Sequence, residues 1–301
     1  MNEFKLKRGR RKWEDYLWAY LMIAPTIIGL IILNVWPILQ TIYLSLTKSG
    51  DFGHNQFVGL ENYKRLFLDH EVMRATLNTL EYAIISVPAG VFLSLIVAVL
   101  LNSNIKGKTI YRTIYFLPVI SAPAAIAMVW RWLYNSDFGL FNYFLSLMSI
   151  HKINWLTDPR IALISIIIVG IWSSLGYNMV ILLAGLQEIP ITYYEAAEID
   201  GADPFRKFFS ITLPLVSPTL FFVVVTSVIG ALQVFDYIFM MIDRTSVALS
   251  TTQSLVYLFY KYSFIMYDKS YGSTIVVFLF IIIMIITLIQ LKLQKKWVYY
   301  Q

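Results

Sequence analysis

Ser173, Ser174, Tyr177 and Asn178 fall within IWSSLGYNMV, in the middle of a run, Ile161–Gln187, that holds no charged residue. Thr226 lies inside a second uncharged run, Phe208–Phe235, with Gln233 near its end and Asp236 just beyond it. These groups include no convergent nucleophile–base arrangement, so their chemistry is recognition rather than bond making. Hydroxyl, amide and ring groups together suit a sugar, whose hydroxyls need hydrogen-bond partners and whose apolar faces stack on aromatic rings. The same residue types also make ordinary hydrogen bonds between packed helices. Both readings stand at this point.

The surrounding sequence says where such groups would sit. Of 301 residues, 58% are hydrophobic and 14% charged, and the mean hydropathy is +0.66. A soluble domain of this length needs far more charge on its surface. A membrane-spanning helix needs about 20 mostly apolar residues. Six uncharged runs qualify: Tyr16–Thr47, Tyr82–Ile105, Thr113–Trp130, Ile161–Gln187, Phe208–Phe235 and Ser270–Leu291. Thr245–Tyr260 is shorter and rich in Ser and Thr, and is placed outside the membrane. The fold class is therefore an all-α membrane protein with six transmembrane helices. Residues 1–15 form a basic N-terminal segment, 16–291 the membrane domain and 292–301 a tail.

At a rise of about 1.5 Å per residue, Ser174 lies roughly 20 Å down from Ile161 and Thr226 roughly 17 Å up from Leu215. The two meet near the midplane, with Gln233 and Asp236 higher on the fifth span. Polar groups at such depth usually face a cavity or the bundle interior. Glu81 opens the second span and Asp236 closes the fifth at the same face, where each is read as an interfacial carboxylate. His54, His70 and His151, the only histidines, are widely spaced and mark no metal site. The chain has no cysteine, which removes disulfides, thiolate nucleophiles and cysteine metal ligands. Pro25, Pro37, Pro88, Pro118 and Pro123 lie within the runs and are read as bends that packing requires.

Six spans put both termini on one side. Of the 24 Lys and Arg, 14 fall in segments 1–16, 102–112, 185–213 and 292–301, although these are shorter in total than the opposite set. By the positive-inside rule those segments face the cytoplasm. The basic start KLKRGRRKWEDY is read as an orientation signal beside a retained helix, not as a nucleic-acid patch or a cleaved leader.

One cytoplasmic segment is unlike the rest: YYEAAEIDGADPFRKFFSITLPLVSP, Tyr193–Pro218. A first short helix runs from about Thr192 to Ile199, and Asp200-Gly201 supplies a turn in which Gly201 takes φ > 0. Asp203 then caps a second helix that begins at Pro204. Phe205, Phe208 and Phe209 share one face by their spacing, and Pro214 bends the chain as the fifth span begins. Ala196 and Ala197 permit close approach of a partner backbone, while Glu195, Glu198, Asp200, Asp203, Arg206 and Lys207 offer charged edges. An amphipathic elbow on lipid headgroups fits these features. A docking element fits them equally.

From Glu195 the chain reads E-A-A, three residues, Gly201, nine residues, Ile211, one residue, Leu213, Pro214. This spacing resembles the EAA loop in permease subunits of bacterial ABC importers, and the chain is similar to the carbohydrate-type permeases of the maltose and glycerol-phosphate kind. FVGLENYKRLF (57–67), YRTIYFLP (111–118) and AGLQEIP (184–190) add to the resemblance, as does the order of spans; about four fifths of the chain is covered. The resemblance implies a type I ABC importer permease fold and a docking role for the loop at about 190–214. Glu195, Ala196, Ala197 and Gly201 would be its contact and pivot positions. It also implies that Ser174, Tyr177, Thr226, Gly230 and Gln233 match cavity-lining positions.

The implied partners are a second permease subunit, two ATP-binding subunits and an extracellular solute-binding protein. The chain itself would be no enzyme and would bind no cofactor, with ATP and Mg on the partner subunits. Gly107-Lys108-Thr109 is the nearest approach to a phosphate-binding loop, but Asn102 stands where the first glycine belongs. The competing reading is an ion-coupled carrier working alone, which needs an intramembrane ion site and usually internal repeats. No convincing repeat is visible.

Overall fold

The computed structural model describes residues 3–49, 55–103 and 105–299, so His54 lies outside the described residues. Helix α1 (Glu3–Leu30) passes through a π turn, Ile31–Val35, into α2 (Trp36–Ser45). Pro25 is carried inside α1, whereas Pro37 follows the widened turn directly. Two short antiparallel strands, β1 (Thr47–Ser49) and β2 (Asn55–Phe57), paired over three residues each, lead to α3 (Glu61–Leu68) and the long α4 (His70–Asn102). Asp69 caps α4 by accepting the Glu71 N–H at 2.8 Å. The second span therefore begins twelve residues before Tyr82 and leaves Glu81 well inside the helix on an exposed face, not at its opening.

The third span departs from a straight crossing over Thr113–Trp130. Helix α5 (Lys108–Ile120) and α6 (Pro123–Leu133) meet at a bend of 102°. The cause is local. Pro118 removes a helical hydrogen bond, and Pro123 forces Ala122 into an extended conformation with ψ 134°. By length and composition five helices are able to cross a membrane, or six if this bent pair is one span.

Next come α7 (Leu140–Leu147), α8 (Ala162–Gln187), α9 (Ile191–Ile199) and α10 (Pro204–Lys207). A second π turn, Phe208–Thr212, joins α10 to α11 (Leu213–Leu232), so that Pro204–Leu232 forms one continuous rod. The helical part of the fifth span ends at Leu232, short of Phe235. Short helices α12 (Asp236–Met241), α13 (Leu249–Thr252) and α14 (Leu255–Tyr260) precede α15 (Lys269–Trp297), which continues past residue 291. The segment around Thr245–Tyr260 is no surface loop. Leu255 and Leu258 are buried with Val72 and Ala75 of α4 and with Tyr271 and Ile275 of α15, although the apolar helix Leu255–Ile265 is too short to span.

The bundle centres on α4, α8 and α11. Val87, Val91, Leu95 and Ala98 pack with Met179, Leu182 and Leu186 and with Val216 and Val223. Lipid is as apolar as these side chains, so close backbone approach must hold such helices together. Helix α8 achieves it through glycines. A Cβ on Gly176 would overlap the Tyr115 carbonyl oxygen of α5, and one on Gly185 would overlap the Thr219 hydroxyl of α11. At Gly176 the obstacle is backbone, which cannot rotate aside. Gly176→Val is expected to destabilise the fold by about 1–3 kcal/mol or more. It should reduce the monodisperse fraction on detergent size exclusion, whereas Gly230→Val, with nothing within 4 Å of the new Cβ, should behave as the parent does.

Candidate functional site

Between α4, α8 and α11 lies a cavity of about 320 Å³. Ser173, Ser174, Tyr177, Asn178, Thr226, Gly230, Gln233 and Asp236 all line it. Gln233 and Asp236 do so from the break between α11 and α12, not from the fifth span itself. Helix α4 supplies a wall that the sequence reading missed, with Tyr82, Ser86, Val87 and Gly90, and Ser227 and Tyr237 are among the other lining residues.

Most of these polar groups are anchored to their own helices. Ser173 Oγ donates to the Gly170 carbonyl and Ser174 Oγ to the Ile171 carbonyl, each at 3.2 Å. Thr226 Oγ1 donates to the Phe222 carbonyl at 2.9 Å, and Gln233 Nε2 to the Ile229 carbonyl at 3.1 Å. Such back-bonding fixes the rotamer and leaves oxygen lone pairs free to accept. Asn178 differs. Its Nδ2 donates to Ser227 Oγ at 3.2 Å, so it ties α8 to α11 as an interhelical bond.

Ser86 is the exception among the lining hydroxyls. It is 8% exposed and its Oγ has no hydrogen-bond partner. A buried hydroxyl left unpaired costs about 1–3 kcal/mol, a cost that a hydroxylated solute or water in the cavity would remove. One side of the cavity is open: Tyr177 is 49% exposed, and Gly230, Gln233 and Asp236 are also exposed. Ser86 gives little signal in the sequence, because it is the one polar side chain in the stretch AIISVPAGV (83–91).

The loop at 190–214 is built from local bonds. Helix α9 begins at Ile191 after Pro190 and ends in a complete left-handed cap. Gly201 has φ +71°; its N–H donates to the Glu198 carbonyl at 3.0 Å, and the Ala202 N–H donates to the Ala197 carbonyl at 2.9 Å. Asp203 Oδ1 accepts the Arg206 N–H at 2.7 Å and so caps α10. Lys207 Nζ reaches Glu198 Oε1 at 2.7 Å, and Tyr194 and Thr212 share a hydroxyl hydrogen bond at 3.0 Å, which fix α9 against the rod.

The predicted aromatic face is split by the π turn. Phe208 packs inward against the core, while Phe205 and Phe209 remain exposed, and the rings of Phe208 and Phe209 meet edge-on at 5.0 Å. Pro214 follows the widened turn directly, as the second residue of α11. Glu195, Ala196 and Asp200 are exposed, Ala197 is half-buried, and Ile199 and Phe205 are 88% and 78% exposed. A rigid loop that shows large apolar side chains beside carboxylates is built for contact.

The far end of the bundle is tied by a mixed polar network. Asp69 accepts the Tyr271 hydroxyl at 2.8 Å, Lys261 pairs with Glu71 at 2.6 Å, and Arg65 pairs with Asp268 at 3.1 Å. The Arg65 guanidinium also lies 3.8 Å over the Tyr271 ring. Burial, with Asp69 and Glu71 beside it, pushes the Tyr262 phenol above its ordinary range, so Tyr262 stays a neutral donor to those carboxylates. Glu71→Ala, which leaves the half-buried Lys261 unpaired, is expected to lower the melting temperature of the purified protein more than Asp243→Ala, whose partner Arg131 is exposed.

Residues 90–298 match the family described as binding-protein-dependent transport system inner membrane component. The chain is 34% identical over 288 residues to the trehalose/maltose transport system permease protein MalF of Thermococcus litoralis, covering 95% of this chain and 97% of that protein. It is 34% identical over 299 residues to the probable ABC transporter permease protein YesP of Bacillus subtilis, covering 98% and 96%. Against the sn-glycerol-3-phosphate transport system permease protein UgpA of Pectobacterium atrosepticum the identity is 32%, over 94% of this chain and 95% of that one. The fold is also similar to a chain of a bacterial alginate ABC transporter crystallised with an alginate pentasaccharide-bound periplasmic protein, with TM-score 0.85, 23% identity and 96% of each chain covered. The chain thus belongs to the inner-membrane permease components of binding-protein-dependent ABC transporters, as a multi-pass protein of the cytoplasmic membrane.

Proposed function

We propose that this chain is one of two permease subunits in an ATP-driven importer of a carbohydrate, most simply a di- or oligosaccharide. The observation that carries the mechanism is the unbroken rod Pro204–Leu232, which starts in the exposed loop and ends at the cavity. A push on α9 and α10 moves one wall of the cavity without slack. The hydroxyl, amide and phenol lining supports a sugar, as do the trehalose/maltose and alginate that name its relatives. The open side of the cavity is where a second permease subunit would close it.

In this reading both termini and the loop are cytoplasmic, with residues 1–15 and 292–301 flanking a membrane domain at 16–291. Two ATP-binding subunits dock on Glu195, Ala196, Ala197, Asp200, Gly201, Asp203, Phe205 and Phe208, with Pro214 at the base of the rod, and they hold the ATP and Mg. A solute-binding protein delivers the sugar from the other side. Closure of the ATP-binding pair draws the two loops together and turns the cavity outward; hydrolysis resets it. The ion-coupled alternative would need an ion site of its own inside the bundle.

Co-purification from native membranes in mild detergent tests the reading. This chain, a second permease and an ATP-binding subunit in a ratio of about 1:1:2 is the expected outcome, that being the stoichiometry of the assembly proposed above. A lone chain whose uptake survives ATP depletion but not collapse of the ion gradient would overturn it.

A further inference from the structure

Among the described residues, Asp236 is the one charged side chain that lines the cavity between α4, α8 and α11; no lysine, arginine or histidine lines it. The carboxylate stands at the first residue of α12, on the open side of the cavity, and forms no ion pair with a described residue. Two cations on neighbouring segments are engaged elsewhere. Arg131 of α6 pairs with Asp243, and the Arg244 guanidinium lies 5.2 Å from the centre of the Phe239 ring. A bare carboxylate in a cleft gives it a negative field, which low-dielectric walls sharpen. The uncharged lining has the same bias. Ser174 and Thr226 have given their hydroxyl hydrogens to carbonyls of their own helices, so they present acceptors to a solute. A sugar hydroxyl donates to such groups and to a carboxylate. An ionised carboxylate or phosphate on the solute can only accept, and would meet like charge.

We infer that this cavity selects sugars that carry no negative charge, with Asp236 as the residue that sets the selection. Its two oxygens accept hydroxyl hydrogens of a neutral sugar and repel uronate and phosphate forms. The inference rests on the functional reading above and narrows its substrate class. The names of the relatives leave that class open, because trehalose and maltose are neutral and sn-glycerol-3-phosphate is an anion. Two unit charges about 8 Å apart, at an effective dielectric constant of about 20, repel strongly enough to weaken binding more than about tenfold. Asp236 also sits in the first turn of α12, where a carboxylate favours the helix end. That role alone would move the melting temperature and would not distinguish a neutral solute from a charged one.

The test is solute binding to the purified complex in nanodiscs, without the solute-binding protein, whose own selection would otherwise intervene. The probes are a pool of neutral glucose, mannose and galactose trisaccharides, and the same pool with its primary hydroxyls oxidised to carboxylates, at equal concentration. Mass spectrometry counts each form retained at dialysis equilibrium. The parent is expected to hold the neutral form at least about tenfold better. Asp236→Asn, which keeps the shape and removes the charge, should narrow that ratio about tenfold, whereas Asp236→Glu should retain it. Raising the salt from about 0.1 M to about 1 M shortens the screening length from about 10 Å to about 3 Å. It should narrow the ratio of the parent and leave that of Asp236→Asn unchanged. A parent that holds both forms equally, or a ratio unchanged by Asp236→Asn, would overturn the inference. Retention of neither form by the parent would instead overturn the reading of the cavity as a carbohydrate site.

Discussion

Gly201→Val is expected to reduce ATP-dependent uptake at least about tenfold while the complex still assembles. Gly201 has φ +71°, and a Cβ there would meet nothing within 4 Å, so the substitution acts through the backbone alone. An L-residue in the left-handed region costs about 1–2 kcal/mol, and a β-branched side chain is among the poorest fits there. The chain is expected to relieve that cost by leaving the left-handed cap. It then loses the Ala202-to-Ala197 and Gly201-to-Glu198 bonds that set the angle between α9 and α10. The core is remote from this change, so membrane insertion and packing of α4, α8 and α11 should survive. What fails is the placement of Glu195, Ala196 and Ala197 against a partner. Gly201→Asn is the internal control, because Asn tolerates the left-handed conformation and should retain most transport. Uptake by the Val variant equal to the parent at matched expression would sink the account of the loop as a lever.

The contrast between what was and was not legible follows the range of the forces involved. The cap at Gly201 and the Asp203–Pro204 helix start are set by atoms within a few residues, so the sequence Asp-Gly-Ala-Asp-Pro was enough to place them. The long apolar helices were legible for a different reason: lipid leaves backbone groups no other partner than their own helix. The sharpness of the bend between α5 and α6 was not. Pro25 and Pro88 run inside unbroken helices, while Pro118 and Pro123 frame a turn of 102°. What separates them is whether two prolines act on the same few residues, which the properties of each proline taken singly do not reveal. The start of α4 was hidden because Glu71, Arg74 and Glu81 interrupt the uncharged run, although Glu71 is paired with Lys261, 190 residues away. Long-range pairing of that kind leaves no local mark. The cavity shows both cases. Spans four and five betray themselves by clustered polar residues, whereas Tyr82 and Ser86 become lining residues only once α4 is seen to lie along α8.

Tyr177→Ala carries the second large effect, an expected loss of transport with docking of the ATP-binding subunits intact. The Tyr177 side chain lines the cavity and is 49% exposed at its open side, so its removal disturbs little packing. Loss of a stacking ring contributes about 0.5–1.5 kcal/mol, and loss of a hydroxyl hydrogen bond about as much again. Together these predict a fall in solute affinity of roughly ten- to a hundredfold. Two companion variants separate recognition from folding. Ser86→Ala removes a hydroxyl that has no protein partner, so it should leave thermal stability unchanged or slightly raised while weakening solute-dependent uptake. Gly230→Val adds bulk to the cavity where no atom lies within 4 Å of the new Cβ, and should reduce uptake in a correctly folded protein. The measurement is radiolabelled sugar uptake in parallel with basal ATP hydrolysis of the purified complex. Loss of uptake with retained hydrolysis in Tyr177→Ala and Gly230→Val places the solute against this chain. Unchanged uptake in all three variants would mean that the partner permease alone touches the sugar, and that this cavity serves only to accommodate the movement of α11.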